Sequence, residues 1–278
     1  MARRIVLALM IASLVLIAFL VVRAILAPII RLPCIPMTLT TFTLTLWVFS
    51  LCHAVYALGW RQALIFFVLS AVISWLYEQI GVETGLIYGP YHYTDRLGFK
   101  LGHVPVLIPI AWFMMIYPSY VIANLIGAGK PTGSGDNLLQ IVWLSALGAM
   151  TMTAWDLIMD PGMSSPPTQA WIWHEGGPYF GVPLQNFVGW LLTTFTIYLV
   201  YRLIERRIGV QPLGAMTTAL AVLPLLAYAL IMTGYLLPGS SDTGEALRVI
   251  TLFAMGFPVL AATGRLFSQT PQITNKPA

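Results

Sequence analysis

The chain has 278 residues, 58% of them hydrophobic and only 9% charged, with a mean hydropathy of +0.83. A soluble domain carries roughly a quarter charged residues, so an ordinary globular class is excluded. Fourteen Lys and Arg against ten Asp and Glu leave a formal charge of +4, too small and too dispersed to mark a nucleic-acid partner. Repeated apolar runs of about 20 residues define instead an all-α, polytopic helical membrane bundle.

Arg3 and Arg4 precede an apolar run from Ile5 to Val22. This run exceeds the h-region of about 7–15 residues found in a secretory signal, and no small-x-small cleavage site precedes Arg23. It is expected to stay as a first span, giving eight spans, or seven without it. A Pro-broken connector, Pro28 to Pro36, leads to the second span, 38–58. The third is 62–80, the fourth 104–126 with Pro109 and Pro118 inside it, and the fifth 138–159. Asp160-Pro161 is expected to end the fifth, because a residue before Pro resists the helical region. The sixth, seventh and eighth spans are 184–204, 212–237 and 247–262, all within one transmembrane domain, 1–265, with a polar tail at 266–278. Cys34 and Cys52 would lie on the order of 20 Å apart on a helix, beyond disulfide reach.

With the N-terminus inside, the inner side collects Arg3, Arg4, Arg61, Lys130, Arg202, Arg206, Arg207, Arg265 and Lys276. The outer side holds Arg23, Arg31, Arg96, Lys100 and Arg248. The bias predicts a multi-pass protein of the cell membrane with both termini cytoplasmic. It also brings the two long loops, 81–103 and 160–183, to one face. They share an echo, Gly89-Pro90-Tyr91 against Gly177-Pro178-Tyr179, which fits either a duplication or convergence on Gly/Pro turns.

The chemistry gathers at that face. Glu78 and Glu83 flank the end of the third span, and Asp156 and Asp160 stand four apart near the end of the fifth, on one helix face. For Glu78, Asp156 and Asp160, the negative end of the helix dipole and partial desolvation both disfavour a carboxylate. That suits a group which must donate a proton. The same acids could instead face headgroups or pair with Arg96 or Lys100. His92 is a candidate for hydrogen bonding or proton shuttling, whereas His53, deep in the second span, reads as a satisfied core histidine. His92, His174, Asp160 and Glu78 could together supply a metal, but no HxxxH, HExxH or CxxC pattern is present, so neither metal nor cofactor is expected. Trp75, Tyr77, Tyr88, Tyr91, Tyr93, Trp112, Trp155, Trp171, Trp173 and Tyr179 form either an interfacial belt or a wall around a flat unsaturated substrate or a transient cation, with Trp75, Tyr88, Tyr91, Tyr93, Trp112 and Trp155 as the candidate substrate contacts. Asn186, just inside the sixth span, could position a water or bind an acid.

Three stretches carry a resemblance: TGLIYGPYHYTDRLGFKLGHVPVLIPIAWFMMIYPSY, MTAWDLIMDP and WIWHEGGPYFGVPLQNFVGW. They resemble the membrane carotenoid-biosynthesis proteins, a family that includes the bisanhydrobacterioruberin and γ-carotene hydratases. The similarity covers roughly Leu46 to Arg265. Residues 162–170 depart from it, reading GMSSPPTQA where a Gly is expected shortly before the Trp. The resemblance implies a hydratase that adds water across the terminal double bond of an acyclic carotenoid end. Asp156 or Glu78 would be the proton donor, and Asp160, Glu83 or His92 would orient the water. The partners it implies are membrane lipid, a long polyene and water, with other carotenoid-pathway enzymes as further candidates. Glu78 and Asp156 are expected to face each other across a lipid-side pocket. A metal-dependent intramembrane hydrolase and a non-catalytic carotenoid-binding or transport protein are the competing readings.

Overall fold

A computed structural model describes residues 2–30, 38–237 and 244–268. Cys34, most of the Pro-broken connector and the tail beyond residue 268 lie outside them. Among the described residues, eight helical stretches are long and apolar enough to cross a membrane. They are α1 (Ala2–Ile30), α2 (Leu39–Leu58), α3 (Trp60–Thr84), α4 (Leu107–Ala128), α5 (Leu138–Ser164), α6 (Leu184–Ile208) and α7 (Thr218–Leu236). The eighth is broken at Met255 into α8 (Glu245–Ala254) and α9 (Gly256–Ser268). Pro258, lacking an N–H, cannot bond the Ala254 carbonyl, which accounts for the break. The protein is a polytopic helical membrane bundle.

The central element is α4. It packs against α2, α3, α5, α7 and α9, while α1, α2, α3, α6, α5, α8 and α7 follow one another around it. Its side chains are accordingly buried from Trp112 to Leu125 without interruption. In hydrocarbon no water satisfies a backbone carbonyl, so each proline inside a span must be answered by a neighbour. Pro118 frees the Met114 carbonyl, which accepts Ser50 Oγ at 2.7 Å. Pro224 in α7 frees that of Leu220, which accepts His53 Nε2 at 2.8 Å. Nε2 must donate there, so Nδ1 of His53 accepts from Tyr117 Oη at 2.6 Å. His53 is therefore the satisfied core histidine expected of it.

Pro161 follows the same rule, and this overturns the expected end of the fifth span. The Leu157 carbonyl freed by Pro161 accepts Tyr179 Oη at 3.0 Å, and α5 continues to Ser164. The fourth span also differs. Val104-Pro105 is a short strand, β3, paired with β2 (Lys100–Leu101), and the helix begins only at Leu107.

At the end of the bundle away from the long loops, Arg202 is fully buried, not a loop charge as the sidedness count assumed. Its Nη1 donates to Asn124 Oδ1 and to the Gly133 carbonyl, both at 2.8 Å, and its guanidinium lies 4.6 Å from the centre of the Tyr120 ring. These contacts tie α6 to α4.

At the opposite end, β1 (Tyr91–Tyr93) pairs antiparallel with β4 (Trp171–Trp173), in the register Tyr91↔Trp173, His92↔Ile172, Tyr93↔Trp171. The ladder extends at both ends, through Thr94 N to the Ala170 carbonyl and His174 N to the Pro90 carbonyl. Thus α3–β1–α4 and α5–β4–α6 repeat one plan. The true echo between the loops is Tyr-His-Tyr with Trp-Ile-Trp. The second Gly-Pro-Tyr falls elsewhere, where Tyr179 forms an isolated bridge with Val182. Gly89 has φ 100, and Gln169, two residues before β4 as Gly89 is two before β1, has φ 41. Gln169 thus occupies the left-handed region at the place where the family resemblance called for a Gly.

Replacing Tyr179 by Phe leaves the Leu157 carbonyl unanswered. The expected cost is about 1–3 kcal/mol, with faster hydrogen exchange confined to the last turn of α5. Unchanged exchange there would contradict the proline account.

Candidate active site

The helices converge on a pocket at the β1–β4 end. Its wall combines the first turns of α2, α4 and α6 with the last turns of α3 and α5, roofed by the two paired strands. Two carboxyls reach it, Glu78 from α3 and Asp160 from α5. Among the described residues no Lys, Arg or His lines it.

Glu78 is 4% exposed and collects three donors. Tyr91 Oη and Tyr93 Oη both donate to Oε2, the latter at 2.8 Å, and Trp112 Nε1 donates to Oε1 at 3.1 Å. Burial first, then the Glu78 charge, pushes both phenols well above the ordinary tyrosine range. They are therefore neutral O–H donors. Alternation along β1 explains the pair, because residues 91 and 93 face inward and His92 outward.

Asp160 is 1% exposed and is served in the same way by the other strand. Trp171 Nε1 and Trp173 Nε1 donate to its Oδ1 at 3.0 and 3.1 Å. Its Oδ2 accepts Asn186 Nδ2 at 2.8 Å, and the same nitrogen donates to Asp156 Oδ2 at 2.9 Å. Asp156, one turn deeper in α5, has no exposed surface and does not line the pocket; its Oδ1 is buried without a hydrogen-bond partner among the described residues. The expected confrontation of Glu78 with Asp156 is thus replaced by Glu78 and Asp160, with Asp156 behind Asn186.

The aromatic wall is specific in its geometry. Trp112 stacks on Trp190 with ring centroids 4.2 Å apart, and Trp155 meets Trp190 edge-on at 6.0 Å. Tyr88 lines the pocket and packs between Gly81 and Gly189, where a Cβ would come within 2.7 and 2.5 Å of its ring. Its Oη is 2.8 Å from Thr193 Oγ1, so Tyr88 fixes the approach of α3 to α6.

Besides Asp156, three expected site residues lie outside the pocket. Trp75 donates Nε1 to the Leu101 carbonyl and holds the β2–β3 hairpin. The Glu83 side chain is 52% exposed, 3.9 Å from His103 Nε2. His92 is on the exposed rim, hydrogen-bonded to His174 at 2.8 Å. Its separation from Glu78 and Asp160 also divides the four side chains weighed as metal ligands. Among the described residues no three His, Cys, Asp or Glu converge as a metal site. Trp171 and Trp173, from the aromatic set weighed as a wall, line the pocket together with Trp190, which was not among the expected contacts. Trp190 follows Asn186 by one helical turn, a spacing that would have placed it on the same face.

The arrangement defines a class, an intramembrane carboxyl site walled by aromatic rings. The family model for carotenoid biosynthesis proteins matches residues 35–241, more than half of the chain, and the chain belongs to that family. It is 30% identical over 142 residues to the bisanhydrobacterioruberin hydratase of Haloarcula japonica; the match spans 51% of this chain and 45% of that protein. No solved structure matches the chain.

Asn186→Leu removes the donor common to both aspartates. The expected loss is about 2–4 kcal/mol, the sum of one hydrogen bond to a charged carboxylate and one to a neutral carboxyl. Thermal unfolding in detergent would read it, and a wild-type melting temperature would show that the amide is not required.

Proposed function

We propose that this carotenoid-biosynthesis protein is a hydratase, adding water across the terminal double bond of an acyclic carotenoid end. The observation that carries the reading is a pocket with two carboxyls on its wall, a third behind it, an aromatic lining and, among the described residues, no cationic side chain. Two carboxylates bonded to one amide nitrogen have oxygens within about 6 Å of each other. At that distance two charges repel by about 3 kcal/mol at an effective dielectric constant of 20. The Asp156–Asp160 pair therefore shares one proton and delivers it through Asp160, the member that reaches the pocket.

In the first step the Asp160 carboxyl protonates the less substituted alkene carbon. The π pair forms the new C–H bond and leaves a tertiary cation on the neighbouring carbon. The faces of Trp112, Trp155 and Trp190 stabilise that cation through the negative potential of their rings. Water then attacks the cation and gives up a proton to Glu78, whose three donors hold it as an acceptor. Proton return from Glu78 to the aspartate pair closes the cycle, so alkene and water are consumed and a tertiary alcohol is formed. A narrow, aromatic-lined pocket suits the end of a polyene, with the remaining chain left among lipids. Transport is less favoured, because the acids gather at one end of the bundle and not near its middle. The orientation adopted here sets both termini on the cytoplasmic side and the pocket at the outer boundary.

The test is expression in a bacterial host that accumulates acyclic-ended carotenoids. The wild-type chain should yield products heavier by one water. Asp160→Asn and Glu78→Gln, at equal protein level, should each lower the rate by at least about 100-fold, as expected for loss of an acid or base. Normal hydration by Asp160→Asn would remove Asp160 as the donor. An unchanged pigment profile with the wild-type chain and a suitable substrate would remove the hydratase reading.

A further inference from the structure

Two imidazoles on the outer face of the roof take no part in this chemistry. His92 is the central residue of β1, turned outward between the inward-facing Tyr91 and Tyr93. His174 follows β4 directly. Nδ1 of His92 lies 2.8 Å from Nε2 of His174, with ring centroids 5.1 Å apart and planes at 41°. Both side chains are exposed, and the backbone bond from His174 N to the Pro90 carbonyl at 3.0 Å holds them together. The residues are 82 positions apart in the chain, so their meeting is a product of the strand pairing.

We propose that His92 and His174 form a binding site for a divalent transition-metal ion on the roof of the pocket. Imidazole is the commonest protein ligand for such ions. With metal–nitrogen bonds of about 2.0–2.1 Å, two nitrogens at a right angle stand about 2.9 Å apart, and at the tetrahedral angle about 3.4 Å. The observed 2.8 Å is close to the right-angle spacing. Turning the two exposed rings from the hydrogen-bond line by about 45°, with little change in separation, would place both lone pairs on adjacent positions of a square-planar or octahedral ion, the preference of Cu²⁺ and Ni²⁺. Tetrahedral Zn²⁺ would need the rings to part by roughly half an ångström.

Binding converts the His–His hydrogen bond into two metal bonds. Each ring presents a lone pair at the facing nitrogen and keeps its proton on the other one, a tautomer change with no net proton release. Water fills the remaining positions. The ion bridges the loop that carries Tyr91 and Tyr93 to the loop that carries Trp171 and Trp173. It thereby braces the four donors to Glu78 and Asp160 that these two strands carry, without entering the pocket. The site does not depend on the hydratase reading.

The test uses the full chain, purified without a polyhistidine tag and titrated by calorimetry with Ni²⁺, Cu²⁺ and Zn²⁺. One ion per chain is expected, with Zn²⁺ weaker than Ni²⁺, and with Ni²⁺ affinity falling at least tenfold in His92→Gln and in His174→Gln. Electron paramagnetic resonance of the Cu²⁺-loaded wild type guards against a folding defect in the variants and should show coupling to two nitrogens. Equal Ni²⁺ affinity in wild type and both variants, or a Cu²⁺ spectrum without nitrogen coupling, would overturn the site.

Discussion

Three residues of β1 against three of β4 are the contact on which the site depends. A carboxyl withdrawn from water needs donors from the protein itself. Each of these strands supplies two, Tyr91 and Tyr93 to Glu78, and Trp171 and Trp173 to Asp160. The antiparallel register puts Tyr91 beside Trp173 and Tyr93 beside Trp171, so the four donors form a single roof over both acids. Removing the pairing would leave each acid with a donor-bearing loop of no fixed position.

The same demand for partners shapes the helices below. Ser50, His53 and Tyr179 answer the carbonyls freed by Pro118, Pro224 and Pro161. Two of the three come from α2, which thereby grips both the central α4 and α7. In water such carbonyls would be solvated and the helices could end. In an apolar bundle the answering side chain lets the helix continue, and in α5 that continuation carries Asp160 into the pocket wall.

Much of this was legible in the sequence because hydrophobic run length, loop chemistry and helix periodicity are local properties. The span count and the gathering of Glu78, Asp160, Tyr91, Tyr93 and Trp112 at one face follow from them. What was hidden depends on contacts between distant residues. Pro161 read as a stop because nothing nearby in sequence announces Tyr179. Tyr-His-Tyr and Trp-Ile-Trp did not look alike, since the shared property is an inward O–H or N–H at alternate positions. Glu83 was misleading for a geometric reason: five residues beyond Glu78 it sits about 140° around the helix, facing out. Asp156 and Asp160 share a face but differ in depth by about 6 Å, which is enough to put one in the pocket and the other behind it.

The measurement that bears most directly on the account is a structure of the chain with an acyclic carotenoid bound in lipid. The terminal double bond should lie against Trp112 and Trp190, with the Asp160 carboxyl within reach of its less substituted carbon and Glu78 facing the other. A polyene end seated elsewhere, with Glu78 and Asp160 still enclosed by protein alone, would contradict it.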